Sequence, residues 1–391
     1  MLEVNAAREI VLRHARRLPA ETIPLTPAVL GQVLAEGVAA DLDSPPFDKS
    51  MMDGYAVRAA DDGERRVVGE VAAGGSVVVT VGPGEAVRIF TGAPIPPGAD
   101  AVVKQEDVTA DGGVVRTAHS IKPGQNIFRR GQEMKSGDVV VPAGTVLSPV
   151  ALGVLAAVGR TEVAVFPRPA VGVIVTGNEL VEAGTRPTGG QIRNTNGPML
   201  AAQAARAGAV PRYLGIARDD ETAMRELIRE GLESSNVLLL SGGVSVGKYD
   251  LVPGVLKSLG VETHFHSVRM KPGKPLLFGT KGNTLVFGLP GNPVSGYVGF
   301  ELFVRPSLDA MLGREVLLRE LKLPLSEPLA ANHDRPTYHP AVVARDSVRP
   351  LPWSGSADLR GLLAANGFIV LPPGAVKLAA GDAVSVVLTN G

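Results

Sequence analysis

The feature that most constrains this chain is a regular alternation, from Pro169 onward, of short apolar runs with helical patterns. Such alternation specifies a parallel sheet with crossover helices, because parallel strands need long connections and those connections cover the faces of the sheet. The first run is AVGVIVT, at 170–176. Asn194-Thr195-Asn196-Gly197-Pro198 then reads as a helix start, and MLAAQAARAG carries that helix to a glycine stop. A second strand, PRYLGIA, leads into Asp219-Asp220-Glu221, acids suited to the positive end of the next helix. That helix places Met224, Leu227, Ile228 and Leu232 on one stripe. VLLLS, at 237–241, is a third strand, ending in Gly242-Gly243, and Asp250 opens a further short helix. Beyond it lie the basic loop Lys271-Pro272-Gly273-Lys274-Pro275 and two more apolar runs, LLFG and TLVFGL. Pro290-Gly291-Asn292-Pro293 caps a helix through Met311, with Asn292 as N-cap and Pro293 at the first helical position. The expectation is an α/β multidomain protein with a central doubly wound domain over 168–317.

The chain has 391 residues, and single cores stop growing near ~250–300 residues, so further domains are expected. Residues 44–136 hold short β-prone pieces divided by Gly and Pro, which predicts a β-rich insertion domain. The segments 1–43 and 137–167 are expected to form an N-terminal helix and stalk domain. In it, Ala7, Ile10, Val11, Ala15 and Leu18 face inward on an amphipathic helix, and the charges of MLEVNAAREIVLRHARRL argue against a signal peptide. Val139 to Gly159 is long enough for a membrane span, yet Pro142, Gly144, Thr145, Ser148 and Pro149 divide it into a strand, a turn and a helix starting near Ser148. Residues 318–391 read as a C-terminal β-barrel-like domain around one short helix at Asp358 to Ala365.

Charge and sulfur exclude several classes. Lys plus Arg number 39 against 39 Asp plus Glu, which lacks the basic surplus of a nucleic-acid binder and the acidic surplus of a disordered chain. Cysteine is absent, so the chain can hold no disulfide, iron–sulfur cluster or thiolate nucleophile. A cytoplasmic protein, away from membranes, is expected.

In open parallel sheets, ligands bind beyond the carboxyl ends of the strands. Three loops there carry unusual content. Thr176-Gly177-Asn178-Glu179-Leu180 brings a carboxylate, though Glu179 also suits a helix start. Ser241-Gly242-Gly243-Val244-Ser245-Val246-Gly247-Lys248-Tyr249-Asp250 has the small residues of an anion-binding nest before a helix. Lys271 and Lys274 add two cations on a proline-stiffened loop. This combination points to a polyanionic substrate. Asp250, Glu179 and the Asp219/Asp220 pair would repel phosphate unless a divalent cation lay between them, and oxygen-only ligands favour magnesium. Helix capping is the alternative role for Asp219 or Asp220. In the insertion, Asp48 and Asp53 stand beside Gly54 and Tyr55, Thr91-Gly92-Ala93-Pro94 follows, and Arg129 and Arg130 are candidates to receive an oxyanion.

With these residues in view, the chain resembles the molybdopterin molybdenumtransferase family, the bacterial MoeA proteins and the gephyrin E domain. The match rests on PPFDKSMMDGYAV, RIFTGAPIPPGADAVV, GQNIFRRGQE, TGNEL, GQIRNTN, SGGVSVGKYD, MKPGKP and GLPGNPVS in one order. The resemblance implies a homodimer that inserts molybdate into adenylylated molybdopterin and releases AMP, with the insertion of one chain facing the doubly wound domain of the other. It carries active-site roles to Asp53 and Thr91, acidic roles to Glu179, Asp219 or Asp220, and Asp250, and phosphate-binding roles to Lys271 and Lys274. Asp250 is the residue expected to matter most for AMP release. The loop with Ser241, Gly242, Gly243, Ser245 and Gly247 is expected to hold phosphate, and Pro290 and Pro293 to fix the pocket floor.

The chain departs from the family pattern in places. Glu133 follows Gln132 where many relatives have Glu-Asp, Ser267 replaces a frequent lysine with Arg269 nearby to compensate, and Pro340 stands at a second arginine position after Arg335. Two other functions remain open on sequence: a non-catalytic carrier or scaffold for the cofactor, and a molybdopterin adenylyltransferase. Adenylylating relatives resemble mainly the central domain, and such an enzyme would instead be the partner that hands the substrate over.

Overall fold

The apolar run after Pro169 forms the strand Ala170–Thr176, buried along almost its whole length. The computed structural model describes residues 1–244, 251–316 and 320–389. They fall into two compact units, Met1–Ala35 with Val163–Gly391, and Glu36–Glu162.

In the first unit, Ala170–Thr176 pairs in parallel with Val210–Ala217 on one side and Val237–Ser241 on the other. The sheet continues through Thr284–Leu289, Pro275–Lys281 and Glu262–Ser267, the last two antiparallel to their neighbours. Side chains alternate between faces. Val171, Val173, Val237, Leu239 and Phe287 join one core, whereas Ile174, Leu238, Leu240 and Val286 join another on the opposite face. Both faces are therefore covered, as a doubly wound sheet requires. The helix Val4–His14 buries Val4, Ala7 and Val11 in the first core, with Ile10, Ala15 and Leu18 packed at its margin. The helix Glu221–Ser234 buries Met224, Ile228 and Leu232 in the second.

The helix predicted through Met311 is built in three parts. Pro293–Gly299 is α-helical, Phe300–Val304 is a π-turn, and Arg305–Met311 resumes the α-helix. Pro306 has no N–H for the carbonyl four residues back, and the helix widens just before it. The π-turn buries Glu301 completely, where its carboxylate accepts hydrogen bonds from Gln203 and Arg206 and pairs with Arg305.

The C-terminal segment of this unit is an antiparallel sheet of Glu320–Pro324, Ala383–Leu388, Gly367–Leu371, Thr337–Val343 and Val348–Pro350, plus the pair Leu329–His333 and Gly374–Leu378. Leu325, Ala341, Ile369 and Val386 fill its core. The short helix expected from Asp358 to Ala365 is a single 3-10 turn, Leu359–Leu362, capped by Asp358 accepting from the Gly361 N–H.

The second unit carries a six-stranded sheet, in the order Ala101–Lys104, Gly54–Val57, Glu85–Ile89, Glu64–Val71, Val114–Thr117 and Val108–Asp111. Its flanks meet through the antiparallel pair Val38–Ala39 and Val139–Val141. Ser148 caps the helix Pro149–Ala157 by accepting from the Ala151 N–H. Among the described residues no helix is long and apolar enough to cross a membrane.

Candidate functional site

A cavity of about 760 Å³ opens at the carboxyl ends of the parallel strands, where loop ends from four of them converge. Its chemistry starts with the first loop. Gly177 has φ +147, and a Cβ there would collide with the Glu179 carboxylate, which folds back over it. Arg218 ties the same loop by donating to the carbonyls of Asn178 (3.0 Å) and Leu180 (2.9 Å). The Asp219 N–H donates to Asn178 Oδ1 at 3.1 Å. These cross-ties bring Glu179 and Asp219 into the lining together. Asp220 is used differently. Its Oδ1 accepts from the Ala223 N–H at 2.8 Å and caps the helix Glu221–Ser234, so the two neighbouring acids divide between cavity and cap.

Ser241, Gly242 and Gly243 line the cavity. Gly242 (φ +93) and Gly243 (φ +61) let the chain pass so close to Thr176 that a Cβ on Gly242 would lie 2.7 Å from the Thr176 carbonyl oxygen. The Gly242 N–H donates to the Leu289 carbonyl at 3.0 Å, so it is not available to an anion. Ser245, Gly247 and Asp250 lie outside the described residues. The Thr176 hydroxyl, on a residue only 5% exposed, has no hydrogen-bond partner among the described residues.

Pro290 and Pro293 also line the cavity. Asn292 occupies the N-cap position, but its side chain makes no cap. It donates instead to Ser356 Oγ at 3.0 Å, a tertiary partner that competes with the local one. Ala357 and Leu359, from the C-terminal segment, also reach the cavity.

The basic loop behaves otherwise than expected. Neither Lys271 nor Lys274 lines the cavity. The Lys271 ammonium donates to His333 Nδ1 at 2.9 Å, and its backbone bonds to both Pro336 and Tyr338. Lys274 is exposed. Arg269, expected to compensate for Ser267, pairs with Glu3 at 3.1 Å. Among the described residues, the cation that lines the cavity is Arg193, whose Nε donates to the Thr185 carbonyl at 3.2 Å.

Two residues read locally as a helix start, and within the GQIRNTN motif, help to organise the site. Asn196 is buried, and its Nδ2 donates to Ser241 Oγ (2.7 Å) and the Gly291 carbonyl (2.8 Å), joining three loops. Asn194 lies two residues earlier and also lines the cavity. The signal was present in the sequence as two amides directly before Gly-Pro, where capping needs only one.

In the second unit, Thr91 donates both its N–H and its hydroxyl to Asp53 Oδ1, each at 2.7 Å. These donors, with Arg88 nearby, hold the Asp53 carboxyl below its usual range. Asp53 and Thr91 are thus brought together. Arg129 and Arg130 do not stand free for an oxyanion: Arg129 donates to Asp48 at 2.6 Å and Arg130 to Asp43 at 2.8 Å. Asp48 also accepts from the Arg130 N–H, which makes it a structural tie for that turn.

With this geometry in place, family models match nearly the whole chain: the MoeA N-terminal region (domain I and II) over 2–159, a probable molybdopterin binding domain over 172–310, and the MoeA C-terminal region (domain IV) over 322–389. The chain belongs to the MoeA family. A molybdopterin molybdenumtransferase from Staphylococcus aureus (strain Mu50) is 35% identical over 402 residues, covering 100% of this chain and 96% of the relative. The Bacillus subtilis (strain 168) molybdopterin molybdenumtransferase is 36% identical over 381 residues, 92% of this chain and 87% of the relative. The solved structure of a molybdopterin biosynthesis MoeA protein from Pyrococcus horikosii superposes with a TM-score of 0.86 at 32% identity, covering 100% of both chains. This MoeA-family chain thus resembles these relatives along nearly its whole length, with the same three matched regions in the same order.

Proposed function

We propose that the chain is a molybdopterin molybdenumtransferase, inserting molybdate into adenylylated molybdopterin with release of AMP. Full-length similarity to relatives of that name supports the reaction. The observation that carries the site is the cavity itself, which sets two carboxylates and a guanidinium at the carboxyl edge of one sheet, beside a buried Thr176 hydroxyl with no partner among the described residues. Arg193 and the Thr176 hydroxyl suit phosphate or molybdate oxygens. Pro290 and Pro293, at a helix start, shape the floor.

Glu179 and Asp219 need a different partner, because carboxylates repel phosphate. Among the described residues no cluster of three His, Asp or Glu forms a complete metal cage. Magnesium does not require one: it is commonly held by one or two carboxylates, substrate phosphates and water. Glu179 and Asp219, with Asp250 from the adjoining sequence, are the residues that would hold it. When bound, the ion would neutralise charge on the phosphoryl group of the substrate. Asp53, kept ionised by Thr91, is the corresponding candidate in the insertion, in a homodimeric enzyme that works in the cytoplasm and receives its substrate from an adenylyltransferase. With no cysteine in the chain, the dithiolene of the substrate is the sulfur ligand for the metal.

The test is direct. Purified protein with adenylylated molybdopterin and magnesium should release AMP only when molybdate is added. Tight pterin binding without molybdate-dependent AMP would favour a carrier, and pyrophosphate formed from ATP and molybdopterin would favour the adenylylation step.

A further inference from the structure

Asn194 is 4% exposed and lines the cavity, so the orientation of its amide matters to whatever binds there. Its Oδ1 accepts from the Gly197 N–H at 2.9 Å, and its Nδ2 donates to the Tyr213 hydroxyl at 2.8 Å. The Tyr213 hydroxyl in turn donates to Glu182 Oε1 at 2.7 Å. A phenol has one proton to give. With that proton directed to Glu182, the Tyr213 oxygen faces Asn194 as an acceptor, and the Asn194 amide can satisfy both contacts in one orientation only.

Three chain segments meet here. Leu180–Val181 and Ile192–Arg193 form a small parallel pair, with the Asn194 N–H donating to the Val181 carbonyl at 2.8 Å. Tyr213 lies on the sheet strand Val210–Ala217. The close approach requires glycine at 197, since a Cβ there would lie 2.7 Å from Asn194 Nδ2 and 2.8 Å from the Tyr213 ring. Partial desolvation of a residue that stays 39% exposed, followed by the Glu182 carboxylate, pushes the Tyr213 phenol above its usual range. Arg193, Asn194, Thr195 and Asn196, all in the cavity lining, follow directly from this anchor.

We infer that Glu182 and Tyr213 are positioning residues for the cavity: they lock the Asn194 amide, and through it hold Arg193 and the start of the helix Asn196–Arg206 against the substrate. The inference rests on the proposed transferase reaction. A relay of this kind acts on substrate binding rather than on the chemical step.

The experiment measures AMP release and equilibrium AMP binding on the full-length protein. Tyr213→Phe should raise KM for adenylylated molybdopterin about tenfold, the effect of one lost hydrogen bond to an aligned group, with kcat within about twofold. Glu182→Ala should match it. Glu182→Gln, which keeps an acceptor oxygen, should restore the parent value, and the double variant Tyr213→Phe/Glu182→Ala should be no worse than either single one. Unchanged KM and AMP affinity in Tyr213→Phe, or additive losses in the double variant, would overturn the inference. If the parent binds AMP but releases none from substrate, the transferase reading falls, and the AMP affinities of the same variants still decide the positioning role.

Discussion

Gly242→Ala tests the backbone geometry on which the cavity depends. Gly242 has φ +93, and the added Cβ would lie 2.7 Å from the Thr176 carbonyl oxygen and 2.9 Å from its Oγ1. The first of these atoms is backbone in a buried strand, so no rotamer change relieves the contact. Left-handed strain and overpacking together should cost about 2–4 kcal/mol. Hydrogen exchange over residues 237–244 reads that loss locally, as opening made roughly 30- to 900-fold more frequent. Gly291→Ala is the matched control. It also lines the cavity, but its nearest neighbour to a new Cβ is the Gly242 Cα at 3.6 Å, so its effect should stay within about 0.5 kcal/mol. AMP binding should weaken in the first variant and hold in the second. Parent-like exchange and AMP binding in Gly242→Ala would refute the close approach to Thr176.

The acids after Val210–Ala217 should separate cleanly. Asp220→Ala should lower stability by about 1 kcal/mol through loss of the cap while leaving AMP release near the parent rate, whereas Asp219→Asn should slow AMP release with an unchanged melting temperature; a reversed pattern would contradict the division seen at 219 and 220. A pH dependence follows from His264, which stacks on His14 at 4.1 Å and hydrogen-bonds Thr280. Burial and then His14 hold His264 below its ordinary value of 6.5. The unfolded chain therefore takes up that proton first, so stability is held above the unfolded value and declines as pH falls through it toward the folded one. His264→Phe should flatten this decline in a series of melting temperatures taken on both sides of that value.

Much of the fold was legible because it is written in local pattern. The apolar runs at 170–176 and 237–241 are strands with those same bounds, and Ser148 and Asp220 cap helices where polar residues precede apolar stripes. The site was legible in part, for the same reason. Glu179, Asp219 and the glycine pair sit at strand ends, and strand ends can be read. Partners distant in sequence could not. Lys271 is bound to His333, 62 residues on, and Arg129 to Asp48, 81 residues back, so cations that looked free each have a protein partner. Asn196 joins Ser241 and Gly291 across 45 and 95 residues, a role that local sequence cannot separate from capping. The π-turn at Phe300–Val304 likewise arises where Pro306 removes a donor within an otherwise regular helical pattern.

The claim that this cavity is the reaction site is tested most directly by a crystal soaked with AMP and molybdate. The account predicts phosphate or molybdate density beside Arg193, Thr176 and Gly243, with Glu179 and Asp219 on the other side. Ligand density elsewhere on the molecule, with this cavity holding only water, would contradict it.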